Sequence, residues 1–410
     1  MKAKPSYNRT SSQPAPKTFR TLPSGIWALG FVSMFMDISS ELIYSLLPVF
    51  MASVLGASMT TIGLVEGAAE AAAAITKIFS GAVSDYLGKR KLLAGLGYGL
   101  AALTKPIFPL ATSMSWVFAA RFTDRIGKGI RGAPRDALVA DISPAELWGA
   151  AYGLRQALDS IGALIGPLAA LALMALLANN IRAVLWVAVA PALLAVSLLF
   201  FEVHDPKRAR SSTGQLNPVR FTHAIQMPRR YWFVVGLGGL FTLARFSEAF
   251  LVLRAQSVGL PTGYIPMVLI VMNFFYAATA YPAGVAADQH RQRTLLFTGL
   301  LMLVAADLLL AAAASPLLAL TGAAFWGMHL GLTQGLFAKL VADPTPPGLR
   351  GTAFGIFNLV SGGSLLLASV VAGALWSAFG APATFLTGAA FAMLTMIGIL
   401  AYPKKAPPVR

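Results

Sequence analysis

Residues 138–153 read LVADISPAELWGAAYG, and residues 340–355 read LVADPTPPGLRGTAFG. Leu, Val, Ala, Asp, Pro, Leu, Gly, Ala and Gly recur at a constant offset of 202, nine matches in sixteen positions. A second pair precedes them: Gly81-xxx-Asp85 runs into Lys89-Arg90-Lys91, and Gly284-xxx-Asp288 runs into Arg291-Gln292-Arg293. Such a repeat divides the chain into two parallel halves. Hydrophobic residues make up 57% of the 410 positions and charged residues 12%, against about 25% charged in a soluble domain. The apolar residues come in long runs between short polar breaks, the pattern of membrane-spanning helices.

Spans are predicted near 25–50, 61–83, 92–112, 116–141, 149–176, 184–203, 231–255, 264–287, 294–314, 318–342, 352–378 and 382–402. Each is long enough to cross roughly 30 Å of hydrocarbon as a helix. The longest break, 204–230, is basic and follows the sixth span. The expected organisation is a disordered tail over 1–22, a six-helix bundle over 23–203, a basic linker over 204–230, a second six-helix bundle over 231–403, and a short tail over 404–410. The first 22 residues, rich in Ser, Pro, Lys and Arg, read as a disordered tail rather than a cleavable signal. The fold class expected is an all-α integral membrane protein of twelve helices in two pseudo-symmetric bundles.

A net charge of +16 would ordinarily raise nucleic-acid binding, but the location of the charge argues against it. Twenty Lys and Arg fall in the tails and breaks of one side, at 1–22, 84–91, 204–230, 288–293, Arg350 and 404–410, whereas the opposite breaks hold only Arg182. This asymmetry predicts cytoplasmic termini. The chain has no cysteine, so disulfides, thiolate metal sites and cysteine nucleophiles are excluded. Its four histidines show no ligand spacing, and no metal or cofactor is expected. No G-x-S-x-G, H-E-x-x-H or P-loop pattern occurs, which argues against an enzyme.

GAVSDYLGKRK (81–91) resembles the signature of the major facilitator superfamily between spans two and three, with Gly81, Asp85, Gly88, Lys89 and Arg90 in place and Tyr86 where arginine is usual. RIGKGIRGA (125–133) is similar to that family's fourth-span motif through Arg125 and Gly129. In span five, Gly153, Gly162, Gly166 and Pro167 have the spacing of a motif found in the family's antiporters, but its final glycine pair is replaced by Ala170-Leu171. The resemblance implies a transporter that alternates between two faces. It implies a gating role for the first signature and its echo at Gly284 and Asp288.

Charges inside the spans are the informative residues. Between Arg121 and Asp136 lie Arg121, Asp124, Arg125, Lys128, Arg131, Arg135 and Asp136. At roughly 2.5–3.5 kcal/mol each at the bilayer centre, a lipid-facing helix could not carry them. The fourth span must therefore be enclosed by protein or line a wet cavity. Asp37 and Glu41 in span one, Glu66, Glu70 and Lys77 in span two, and Arg155 and Asp159 in span five each share a helix face. Lys105 precedes Pro106 in span three.

Counting from the span ends matches opposite charges in height. Glu66 pairs in depth with Arg121, Glu70 with Arg125, Asp37 with Lys128, Arg131 with Asp159, and Asp136 with Arg155. Asp37, Glu41 and Glu70 are the expected proton carriers, near the midplane where transporter sites lie between repeats. Arg121, Asp124, Arg125, Lys128, Arg155 and Asp159 are candidates for the substrate cavity. In the second half the candidates are Arg245, Glu248, Asn273, His329, Gln334 and Asn358. A lone His or Asn in a helix bundle more often serves packing.

These readings predict a secondary active transporter of the bacterial inner membrane, monomeric, multi-pass and proton-coupled. Efflux of a small solute by antiport stands first. Uptake of an organic anion by symport stands second, and a membrane-embedded sensor or enzyme third.

Overall fold

The computed structural model describes residues 22–144, 147–204, 227–288, 292–333, 340–341, 344–345 and 350–401. Residues 1–21 of the expected first tail, the expected second tail, most of the linker, Gln334 and Asp343 lie outside these residues. No strand occurs among the described residues; helices occupy every one of the twelve expected spans. They are α1 (Ser24–Val49), α2 (Met59–Leu87), α3 (Arg90–Thr104), α4 (Ile107–Leu110), α5 (Met114–Ile142), α6 (Trp148–Leu176), α7 (Ile181–Val187) and α8 (Val189–Glu202). Then come α9 (Arg229–Leu243), α10 (Ala249–Ser257), α11 (Met267–Asp288), α12 (Gln292–Ala311), α13 (Pro316–Thr333), α14 (Arg350–Phe379) and α15 (Ala381–Ala401).

Among the described residues seven helices are long and apolar enough to cross a membrane on those criteria alone, among them α6, α12, α14 and α15. The remaining five expected spans fall short for visible reasons. The α2 and α5 helices carry the embedded charges, and α13 is described only as far as Thr333. The third span breaks between α3 and α4 at Lys105-Pro106, where proline withdraws a backbone donor. The seventh is interrupted between α9 and α10, so Ala244–Glu248 is unwound. The sequence predicted one continuous helix there, and its local pattern carries no proline or glycine to announce the break.

Local chemistry fixes several ends. Ser58 caps α2 by accepting from the Thr61 amide at 3.1 Å. Gly88 closes the same helix at φ +62°, a conformation that favours glycine. Asn180 caps α7 through the Ala183 amide at 3.1 Å.

Packing joins α1 to α6 and α8, and α5 to α2 and α3. In the second set, α13 packs on α11 and α12, and α15 on α12 and α9. The two sets meet chiefly where α2 lies along α14, with further contact of α6 on α11 and α1 on α10. Small residues permit this approach: a side chain on Gly63 or Gly67 would strike the backbone of α14 at Ser369 and Leu366.

The hydrophobic core is joined at one end and divided at the other. One cluster runs through both sets, including Leu46, Phe50 and Ile62 from the first with Phe250, Leu269 and Phe385 from the second. Toward the basic breaks it gives way to two separate clusters. One holds Ile26, Tyr98, Leu138 and Leu199, the other Tyr231, Val341 and Ala353. Hydrogen bonds across the sets, Thr60 to Ser377 at 3.0 Å and Gln256 to Ser53 at 2.8 Å, sit at the joined end.

Candidate functional site

Between the sets lies a central cavity of three lobes, and Glu41 lines all of them. The lobe on the second set's side holds about 590 Å³ and is bordered by Phe241, Arg245, Glu248, Asn273 and Tyr276. The lobe facing the first set holds about 530 Å³ and is bordered by Asp37, Glu70, Lys77, Lys128, Arg135 and Asp159. A third chamber of about 300 Å³ lies between Tyr44 and Trp326 and receives Arg125, Lys128, Arg245 and Glu248. Cavity walls explain how the fourth span tolerates its charges.

Behind the wall is a ladder of buried ion pairs. Arg121 reaches Glu66 at 2.8 Å, and both are almost wholly buried. One turn on, Arg125 Nε lies 3.2 Å from Glu70 Oε1. Lys105, at the α3 break, donates to Asp124 at 2.8 Å and to Ser40 at 2.9 Å. The heights predicted for these first two pairs are thus realised as contacts. Tyr44, one turn beyond Glu41, underlies both arginines, its ring 4.6 Å from Arg121 and 5.8 Å from Arg125. The sequence reading overlooked Tyr44; its signal is its place on the acidic face of α1.

Lower in the first set the matched heights hold less well. Asp136 lies 3.7 Å from Arg155, as the counting expected. Arg131, placed level with Asp159, instead sets its guanidinium over the Tyr98 ring at 4.7 Å. Asp159 is taken by Arg155 at 2.8 Å, from its own helix, and approached by Arg135 at 3.7 Å. Equal depth does not make two side chains neighbours when an aromatic ring offers a closer partner. Among the described residues no ion pair involves Asp37 or Lys128, although both border the same lobe.

The glycines of span five have a direct spatial reading. A side chain at Gly162 would strike the α1 backbone at Met34 and the Cβ of Asp37; one at Gly166 would strike the Cβ of Glu41. These two glycines therefore seat α6 against the helix that bears two candidate acids. Gly153 has open space around it, and Pro167 lies within α6, buried.

The first signature ties helices within one set. Arg90 donates to Asp141 at 2.7 Å and to the Ala137 carbonyl, fastening the start of α3 to the end of α5. Gly81 faces Ala133 of α5, Lys89 is exposed at the α2–α3 turn, and Gly284 of α11 has open space. The side chains of Asp85 and Asp288 lie outside the described set.

Of the second-half candidates, Arg245 and Glu248 enter the cavity from the unwound segment of span seven. Unwound backbone is tolerated at membrane depth only where protein or a wet cavity receives it. Here the Ser247 amide donates to Ser369 Oγ at 3.2 Å. Asn273 bridges the sets by donating to the Ala163 carbonyl of α6 at 3.2 Å. His329 does not border the cavity. Its Nδ1 lies 2.8 Å from the Gly299 carbonyl, and Phe241 screens it. Asn358 is exposed on α14 outside the three lobes. Among the described residues no cluster of His, Cys, Asp and Glu forms a metal site.

The sequence model described as the Major Facilitator Superfamily matches residues 29–272 and 246–410. The chain belongs to the major facilitator superfamily. Its membership makes it a multi-pass membrane transporter. It is 31% identical over 390 residues to an uncharacterized MFS-type transporter of Methanocaldococcus jannaschii, covering 93% of this chain and 95% of that protein. It is 27% identical over 190 residues to the quinolone resistance protein NorA of Staphylococcus aureus, covering 46% of this chain and 48% of NorA. In fold it is similar to the nucleoside transporter NupG, with a TM-score of 0.76 at 14% identity over 92% of this chain and all of the other.

Proposed function

We propose that this superfamily member exports a small solute by alternating access, exchanging it for protons. The reading rests on one observation above others: Glu41 borders every lobe of the cavity and is held there by the contact of Gly166 with its Cβ. A carboxylate in that place can meet both a solute and a proton, and competition between them is the simplest coupling for exchange. The glycine spacing in α6 that resembles an antiporter motif supports export, as does the partial likeness to NorA. Asp37 and Glu70 share the lobe and are the other candidate carriers. The cavity opens away from the joined core, toward the basic breaks that the lysine and arginine asymmetry assigns to the cytoplasm. On this reading residues 23–203 and 231–403 are the two bundles, and the protein works as a monomer in the bacterial inner membrane.

Liposomes containing the purified protein and a pH-sensitive dye test the reading. An outward solute flux accompanied by proton entry is the expected result; co-directional flux would replace export with symport. Glu41→Gln, Asp37→Asn and Glu70→Gln are then compared. The carrier's amide variant should lose gradient-driven transport while keeping solute exchange. Normal uphill transport by all three would remove the proton assignment.

A further inference from the structure

The chamber between Tyr44 and Trp326 has a charge arrangement that neither the coupling reading nor the family assigns. Six charged side chains border it: Glu41, Glu70, Arg125, Lys128, Arg245 and Glu248. Glu70 and Arg125 are committed to each other at 3.2 Å. None of the other four forms an ion pair among the described residues; Arg245 instead lies over the Phe241 ring at 5.3 Å. Each bundle contributes one acid and one base to this remainder: Glu41 and Lys128 from the first, Glu248 and Arg245 from the second.

The balance has consequences for what can bind. With all four groups ionised the charges sum to zero, so a singly charged solute adds net charge to the chamber and leaves one sign unanswered. A solute with both signs answers both and keeps the chamber neutral. The backbone supports the same conclusion. Arg245 and Glu248 both lie in the unwound segment of span seven, which sets two opposite charges on one short stretch bordering the cavity. Interrupted spans of this kind form substrate sites in transporters.

We propose that the chamber binds a small zwitterion, its carboxylate between Arg245 and Lys128 and its ammonium between Glu248 and Glu41. The proposal rests on the chamber being the transport site. Its occupancy joins the two bundles at each end of one molecule. An ammonium on Glu41 also competes with a proton for the same carboxylate.

Thermal unfolding of the purified protein tests this without any gradient. Three pools are compared at equal concentration: net-neutral α-amino acids, the primary amines left by removing their carboxyl groups, and the acids left by removing their amino groups. The amino-acid pool should raise the melting temperature by about 2 °C more than either other pool, and its active members should bind about tenfold tighter than their single-charge relatives. Arg245→Gln and Glu248→Gln should each abolish that preference. Equal or greater stabilisation by a single-charge pool, or none by the amino acids, overturns the proposal; the wild-type comparison decides this even if both variants fail to fold. A protein that prefers the zwitterions but moves no protons overturns the coupling reading alone. Proton-driven flux of a singly charged solute overturns the zwitterion alone.

Discussion

Arg125 is 4% exposed while its partner Glu70, 3.2 Å away, is 30% exposed to the cavity. A sunken cation is thus held by an acid that a solute or proton can reach. We expect Arg125→Ala to lower both folded yield and transport, because Glu70 is then left with only the more distant Arg121, 3.8 Å away. The swap Arg125→Glu with Glu70→Arg should restore yield more fully than transport. A double-mutant cycle on folded yield and melting measures the coupling, and additive losses would show the pair to be energetically idle.

Arg121 and Glu66 form the contrasting case, sealed away from the cavity at 2% and 0% side-chain exposure. Their role is to hold α5 against α2. Glu66→Gln should lower the melting temperature while leaving solute affinity in the surviving protein within about twofold of wild type. A tenfold loss of affinity at unchanged stability would place the pair in the binding machinery.

Gly166→Val pushes a branched side chain into Glu41 and the α1 backbone. Overpacking of this kind costs about 1–3 kcal/mol, which a protein this size survives. Transport should fall much further than stability, since the displaced helix carries Asp37 and Glu41, two of the proposed proton carriers. Gly153→Val meets open space and should be nearly silent in the same flux assay.

Gln256 donates to Ser53 at 2.8 Å across the joined end of the two bundles. The chain has no cysteine, so Ser53→Cys with Gln256→Cys introduces a pair without background. Oxidation should cross-link it and halt transport, with recovery on reduction. Full transport by the cross-linked protein would mean that this end need not part.

Reporter fusions check the orientation. Those at 113, 180 and 380 should read external, and those at 87, 215 and 405 cytoplasmic, following the distribution of lysine and arginine. An internal signal at 180 would undo the six-plus-six arrangement.

The repeat and the apolar runs made the fold legible, because membrane spans announce themselves by composition over some twenty residues. The upper ion pairs were legible too: helical rise converts sequence position into depth, and Glu66, Glu70, Arg121 and Arg125 share a helix interface where depth alone selects the partner. Depth failed for Arg131, which found Tyr98, a residue from another helix whose azimuth no count supplies. The break at Ala244–Glu248 was hidden because its stabilising contact comes from Ser369, 122 residues away. Asp307 gives no sequence signal of its own: it is fully buried on α12, and neither carboxylate oxygen has a hydrogen-bond partner among the described residues.

The core that is shared at one end and split at the other makes this carrier sensitive to temperature. In the proposed cycle, turning to face the opposite side parts the shared cluster that holds Phe50 and Phe250 and wets apolar surface that is now dry. The resistance to that wetting is largely entropic near room temperature and weakens on cooling, with a heat-capacity change in proportion to the area exposed. Cooling should therefore shift the empty protein away from the state described here, and the turnover of the cycle should curve rather than run straight on an Arrhenius plot.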